Sequence, residues 1–224
     1  MNISKTDENS ILKLIEKKIK NPNYELEIRL CGNMFNNQLN NINLTYIEFD
    51  RLLKYLIFLE ENNGLGLKFE QLTTLDVNIP EINTRVILDD KDEIKKYFLY
   101  DSLYENVKYT VLDKKLIENI DIPNYSSRIS LSEENKKEKL DSDIGNKKKI
   151  FRYKNRYMIY SKDKNFRYDF SEVRMAENIS INNSKLFKNN YTYEIEIEYI
   201  GSLKDKNEVY KKLLNNIIFL LSLF

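Results

Sequence analysis

The chain has 224 residues, with 36 Lys+Arg against 35 Asp+Glu for a net charge of +1, no histidine and one cysteine. The lack of histidine excludes imidazole-ligated zinc, Ser-His-Asp triads and Cys-His dyads, and a single thiol excludes a disulfide framework. Balanced charge argues against a broad coat on nucleic acid or an anionic membrane, yet 32% of residues are charged, so their placement matters more than their sum.

From the N-terminus, Asp7 to Lys20 reads as a helix with Ile11, Leu12, Ile15 and Ile19 on one face. Tyr24–Cys31 then alternates at period two and reads as a strand. After Cys31, Asn37 stands where a cysteine phosphatase needs the arginine that closes its phosphate loop. Helical spacing returns from Thr45 to Asn62, where Ile47, Phe49, Leu52, Leu53, Leu56 and Leu59 follow Thr45, a candidate N-cap. A weaker strand signal covers Leu67–Asn78, and clearer ones cover Thr84–Leu88, Val107–Leu112 and Ser126–Leu131. Glu134 to Lys148 is charged, contains Gly145 and reads as a mobile loop. Alternation resumes in Ile150–Tyr160, Asn165–Val173 and Tyr191–Ile200, and Asp205 to Leu223 reads as a last helix. That helix meets the chain end at Phe224 without a polar cap, so the chain is expected to be the N-terminal part of something longer.

None of the five glycines opens a Walker A loop. The longest apolar runs, such as Ile217 to Leu221, are too short to span a bilayer, and no signal peptide opens the chain; a soluble intracellular protein without membrane contact is the expectation. Seven or eight strands with a few helices predict one domain over residues 1–224, an α+β but mainly β antiparallel barrel with helices packed outside.

The alternation sorts charge by face. In Tyr24–Leu30, Glu25, Glu27 and Arg29 share one side of the strand and Leu26, Ile28 and Leu30 the other. Glu194, Glu196 and Glu198 likewise share a side, as do Arg152, Lys154 and Arg156, while Arg167, Asp169 and Ser171 form a mixed polar stripe. Arg128 and Arg85 repeat the pattern on their own strands. Same-face carboxylates lie roughly 6.7 Å apart along a strand. They repel by about 0.6 kcal/mol in water and about 2.5 kcal/mol at an effective dielectric near 20. Such faces either look at solvent or look inward onto something positive. A wet surface would mix signs within a strand; segregated stripes point to a charged lumen in which carboxylates hold a cation and Arg/Lys hold a polyanion. Oxygen-only ligands select Mg²⁺ or Mn²⁺, and a hard metal beside an Arg/Lys cluster suits cleavage of a phosphoanhydride.

Glu25-x-Glu27, Arg152-x-Lys154-x-Arg156, Arg167-x-Asp169-x-Ser171 and Glu194-x-Glu196-x-Glu198 occur in this order. In that respect the chain resembles the metal-dependent RNA 5′-triphosphatases among the triphosphate tunnel metalloenzymes, and most of all the triphosphatase domain of giant-virus mRNA capping enzymes. The resemblance implies an eight-stranded antiparallel tunnel that removes the γ-phosphate from the 5′-triphosphate end of nascent RNA, the first step of capping, with NTP hydrolysis also in reach. It implies Glu25, Glu27 and Glu198 as metal ligands, with Glu194 and Glu196 supporting that shell and its water. Arg152, Lys154 and Arg156 would grip the triphosphate, helped by Arg85, Arg128 and Arg167. Asp169 and Ser171 would orient the basic side chains, and Glu134 would activate water. It further implies guanylyltransferase and methyltransferase modules as partners, and the host cytoplasm as the location if the source is a virus.

Two positions depart from the pattern. Ser171 replaces the usual Thr, keeping the hydroxyl. The family's acid and base on the strand after Arg85 have only candidates here: Lys108, Lys114 or Lys115 for the base, of which Lys114 joins the expected substrate contacts, and Glu105 for the acid. Two other readings remain. One is the branch with thiamine triphosphatase, inorganic triphosphatase and class IV adenylyl cyclase, whose opening Glu-x-Glu-x-Lys resembles Glu25-x-Glu27-x-Arg29. The other is a non-catalytic barrel that binds anionic ends or a protein.

Overall fold

A computed structural model describes residues 3–31, 44–63, 68–103, 107–140 and 144–223. Within them, eight strands run in chain order as β1 (Tyr24–Leu30), β2 (Lys68–Ile79), β3 (Thr84–Leu88), β4 (Thr110–Ile122), β5 (Ser127–Lys137), β6 (Lys149–Tyr160), β7 (Phe166–Asn178) and β8 (Thr192–Tyr199). They close into an antiparallel ring in the order β1-β5-β4-β3-β2-β6-β7-β8. The β1–β8 pair seals it and sets Glu27 opposite Glu198 and Arg29 opposite Glu196. The β2–β3 and β4–β5 hairpins share one device: a proline-led 3₁₀ turn, Pro80–Ile82 or Pro123–Tyr125, followed by a left-handed residue, Asn83 (φ 49°) or Ser126 (φ 41°). Proline presets the turn's first φ, and the left-handed residue reverses the chain.

Four helices pack on the outside: α1 (Lys5–Lys20), α2 (Tyr46–Asn63), α3 (Lys91–Tyr100) and α4 (Lys206–Leu221). Each begins at a side-chain cap. Ser4 accepts from the Asp7 amide at 3.1 Å and Asp205 from the Asn207 amide at 2.9 Å. Thr45 and Glu48 cap each other's amides in a reciprocal box. The hydrophobic core lies between helices and strands. The outward sides of β1, β5, β7 and β8 (Leu26, Ile28, Ile129, Leu131, Phe170, Ile195, Ile197) are buried under Ile11 and Leu14 of α1, Phe49 and Leu52 of α2, and Leu213 and Ile217 of α4. A second cluster joins Leu75, Val77, Val86, Leu88 and Phe151 to Ile94 and Tyr97 of α3. Each such side chain contributes about 1.5–3 kcal/mol on burial, and this outward burial is what turns the charged faces inward.

The structure corrects several expectations. Leu14, not Leu12, completes the buried stripe of α1, and Ile47 and Ile218 are exposed. The strand expected at Val107–Leu112 is instead β4, Thr110–Ile122; Val107 packs as a buried loop residue in the second core. A bulge between Leu116 and Glu118 breaks the alternation that would have revealed it. β5 runs on to Lys137, so Glu134 lies in a strand. Further along the expected loop, the buried Lys149 ammonium donates to the carbonyls of Gly145 (3.0 Å), Lys147 (3.1 Å) and Ile179 (2.7 Å), tying its end down. Helix α3 had no counterpart in the sequence reading. Asn37, Glu105 and Phe224 lie outside the described residues.

Candidate active site in the bore

Period-two geometry fixes what lines the bore. β1 contributes Glu25, Glu27 and Arg29, and β8 contributes Glu196 and Glu198. Facing them, β6 supplies Arg152, Lys154 and Arg156, with Arg85 from β3, Lys114 from β4, Glu134 from β5, and Arg167 and Asp169 from β7. All of these surround one cavity of about 390 Å³. Register keeps the stripes level: Asp169 sits opposite Glu196, Arg167 opposite Glu198, and Arg156 opposite Ser171.

The charges are cross-linked. The Arg29 guanidinium donates to Glu196 at 2.6 Å and reaches Glu194 at 3.0 Å. Glu194 is also held by Arg152 at 2.6 Å. Arg167 grips Asp169 with two hydrogen bonds of 2.8 Å and also pairs with Glu198. Lys114 pairs with Glu25, lies 3.0 Å from Glu134, and reaches Glu27 at 3.9 Å. Two cations are less committed. Arg85 donates to Asn78 at 3.0 Å and makes no ion pair among the described residues. Arg156 touches Asp169 only at 3.6 Å, and its buried Nε has no partner, nor does the buried Ser171 hydroxyl opposite. Unsatisfied buried donors of this kind suit an anionic ligand.

Electrostatics divides the bore. Burial opposes ionisation of Glu196, but Arg29, Lys154, Arg152 and Arg156 hold its carboxyl well below the usual range. Burial and then the Glu196 charge push Glu27 up to about 7. Burial, with Glu25 and Asp169, pushes Glu198 up to about 7 against the pull of Arg167. Burial works against the charge on Glu25 too, yet Lys114 keeps its carboxyl below normal. On the opposite wall, burial and the neighbouring Arg152, Arg156 and Arg85 lower the Lys154 ammonium to about 8 despite Asp76 beside it. One side therefore crowds carboxylates that resist ionisation together, and the other crowds cations.

Two residues of this constellation escaped the sequence reading. Asp76 on β2 forms a 2.6 Å pair with Lys154, with both side chains under 5% exposed. The signal was present, because Thr74, Asp76 and Asn78 alternate with Leu75 and Val77, but it sat in the weakest strand candidate. Arg29 was seen on the face of Glu25 and Glu27 without a role, and here it anchors Glu194 and Glu196. Among the three candidate lysines, Lys114 enters the bore while Lys108 and Lys115 are exposed. Asp76 and Glu134 are the acids on strands next to or near Lys114 and Lys154. Arg128 is the exception among the expected substrate contacts. It donates to Asp121 at 2.5 and 3.0 Å and does not line the cavity, although its register partner Arg29 does.

Can the acidic side hold a divalent cation? Among the described residues no three carboxylates stand as a ready ligand array, since Glu25 turns to Lys114 and Glu198 to Arg167. The donor chemistry still fits: oxygen ligands only, on the neighbouring strands β1 and β8, with Glu27 and Glu198 opposite each other and both raised to about 7 by burial and neighbouring carboxylates. Rotation of Glu25 and Glu198 away from their present partners would complete the set.

No known family's sequence profile matches the chain, and no curated protein matches it in sequence. Solved structures do. The RNA triphosphatase domain of the trifunctional mimivirus mRNA capping enzyme superposes with a TM-score of 0.71 at 22% identity, covering 98% of this chain and 100% of that one. The S. pombe Pct1 RNA triphosphatase gives a TM-score of 0.67 at 12% identity, covering 98% of this chain and 94% of that one. Pct1 in complex with the Spt5 CTD gives 0.63 at 14% identity, covering 98% and 95%. Together with the closed eight-stranded ring, these matches establish that the chain has the tunnel fold seen in the mimivirus and S. pombe RNA triphosphatases.

Proposed function

We propose that this protein is a metal-dependent RNA 5′-triphosphatase that hydrolyses the γ-phosphate at the 5′ end of nascent mRNA, the first step of cap formation, and that NTPs enter the same site. The observation that carries the reading is the convergence of Glu25, Glu27 and Glu198 with Arg152, Lys154 and Arg156 around one cavity of about 390 Å³. Support also comes from the tunnel fold, which the mimivirus and S. pombe RNA triphosphatases share.

Arg152, Lys154 and Arg156 bind the β- and γ-phosphates, and Arg85, with no carboxylate to satisfy, takes the remaining oxygens. Asp76 keeps Lys154 aimed inward, and Asp169 does the same for Arg167. Glu134 orients the attacking water and accepts its proton, while Lys114, 3.0 Å away, stabilises the carboxylate. The water oxygen bonds to the γ-phosphorus as the bond to the β–γ bridging oxygen breaks, leaving a diphosphate end and inorganic phosphate. A Mg²⁺ or Mn²⁺ held by Glu25, Glu27 and Glu198 would neutralise charge developing on the phosphate oxygens. Glu194 and Glu196 hold Arg29 and, through Arg152, set the spacing between the two sides. Guanylyltransferase and methyltransferase modules, in the same polypeptide or complex, are the partners this activity calls for.

Phosphate release from 5′-triphosphate RNA, with and without EDTA and beside inorganic triphosphate, tests the reading. RNA turnover that EDTA abolishes is the expected result. Hydrolysis of inorganic triphosphate alone would move the protein to the inorganic triphosphatase branch, and retention of anion binding in EDTA without hydrolysis would make it a binding barrel.

A further inference from the structure

The two ends of the bore differ. At the end where β1 and β6 meet β8 and β7 in their deepest register, Glu194 is 7% exposed and bridges Arg29 and Arg152, with Ser171 buried beside it. A smaller cleft of about 200 Å³ at Pro80 and Asn83 meets the bore only through Arg85 and Lys114. At the opposite end, marked by the C-terminal ends of β3, β6 and β8, the cavity wall continues to Asp89, Arg167 and Glu198.

Tyr160 stands on this rim. It is the last residue of β6 and shares the inward face of Lys154 and Arg156. Its register partners are Arg167 on β7, which lines the bore, and Lys68 on β2. The Tyr160 hydroxyl donates to Glu70 at 3.1 Å, and the Lys68 ammonium lies 5.7 Å from the ring centroid while pairing with Glu70. The ring is thus held by two side chains of β2 before any ligand arrives. Going inward along β2 on the same face, Lys68 and Glu70 give way to Leu72, which lines the cavity opposite Arg156. From the strand ends inward, β6 and β2 thus carry an aromatic ring with a lysine just outside the cavity, then an apolar side chain and guanidiniums within it.

Resting on the RNA 5′-triphosphatase reading, we infer that Tyr160 is the platform on which the first base of the transcript stacks, and that Lys68 contacts the first internucleotide phosphate. The triphosphate then extends past Leu72 to Arg156, Lys154 and Arg152. Stacking on an aromatic side chain tolerates any base, which suits a protein that must accept many transcripts. Inorganic triphosphate has nothing to place on the ring, so Tyr160 is a specificity-determining residue and not a catalytic one.

The test compares kcat/KM for a 5′-triphosphate oligoribonucleotide and for inorganic triphosphate in the native protein, Tyr160→Ala and Tyr160→Phe. Loss of the ring lowers the RNA-to-inorganic ratio about tenfold, mainly through a higher KM for RNA, while Tyr160→Phe keeps the ratio within about twofold. Lys68→Ala reduces the salt dependence of the RNA KM by about one phosphate contact. An unchanged ratio in Tyr160→Ala, or equal losses on both substrates, overturns the assignment of Tyr160. A native protein that cleaves inorganic triphosphate and not RNA overturns instead the functional reading on which it rests.

Discussion

Replacing Asp76 with Asn probes the structure where it is least forgiving. Asp76 and Lys154 form a 2.6 Å pair with side chains 3% and 4% exposed, so neither ion has water to fall back on. Burial and three neighbouring arginines already lower Lys154 to about 8, and Asp76 is the largest contribution that raises it. Removing one partner of a buried pair costs about 3–5 kcal/mol. For a chain of this length that is a fall in melting temperature of roughly 6–20 °C. The pH dependence has a definite sign. In the unfolded chain Lys154 titrates near 10.4, so a folded value below this means that the unfolded state binds more protons and that stability rises with pH. Asp76→Asn lowers the folded value further, below about 8. The deficit of the variant against the native protein is therefore largest near pH 6 and narrows as pH rises through 8. Thermal melts at pH 6, 7 and 8, with phosphate-release assays alongside, read both effects. Adding Lys154→Met should restore stability and leave hydrolysis abolished. A variant that melts with the native protein at pH 6, or a deficit that widens toward pH 8, would refute the reasoning.

Other outcomes follow from the same geometry. The kcat/KM for triphosphate RNA should fall as pH rises through about 8, where Lys154 gives up its proton, and level off because Arg152 and Arg156 stay charged; a pH-rate profile flat to pH 9.5 contradicts this. Saturating Mn²⁺ should raise the melting temperature by several degrees, and Glu27→Gln with Glu198→Gln should remove that rise. Arg85→Ala should cost about tenfold or more in kcat/KM, from loss of a charge-assisted phosphate contact. Arg128→Ala should cost less than about threefold, since its guanidinium serves Asp121; equal losses at the two positions would show that both cations reach substrate.

What the sequence revealed follows physical lines. The stripes on β1, β6, β7 and β8 were legible because their charged residues recur at period two and are backed mostly by apolar or aromatic residues, many of them buried under the helices. β4 was not legible: Asp113 to Ile122 mixes signs, and the bulge at Leu116/Glu118 flips the parity midway, so Lys114 could only be named among three lysines. Helix α3 announced itself by Asp90, which accepts from the Asp92 and Glu93 amides, but its apolar face is short, resting on Ile94 and Tyr97. Asp76 was missed because a single carboxylate in a half-regular strand has no pattern of its own; only the partner across the β2–β6 ladder, Arg152 in register and Lys154 in contact, gives it meaning. Arg128 shared parity with Ser130 and Ser132, yet parity fixes a face and not a partner, and its guanidinium turns to Asp121.

The most direct measurement follows the fate of the terminal phosphate on RNA labelled at the γ position, for the native protein and Glu196→Ala in Mg²⁺ or Mn²⁺. The native protein should release the label as inorganic phosphate and leave diphosphate-ended RNA, while Glu196→Ala, whose carboxylate pairs with Arg29 at 2.6 Å, releases none. Release as pyrophosphate, no release by the native protein, or equal release by both proteins would contradict hydrolysis within the bore.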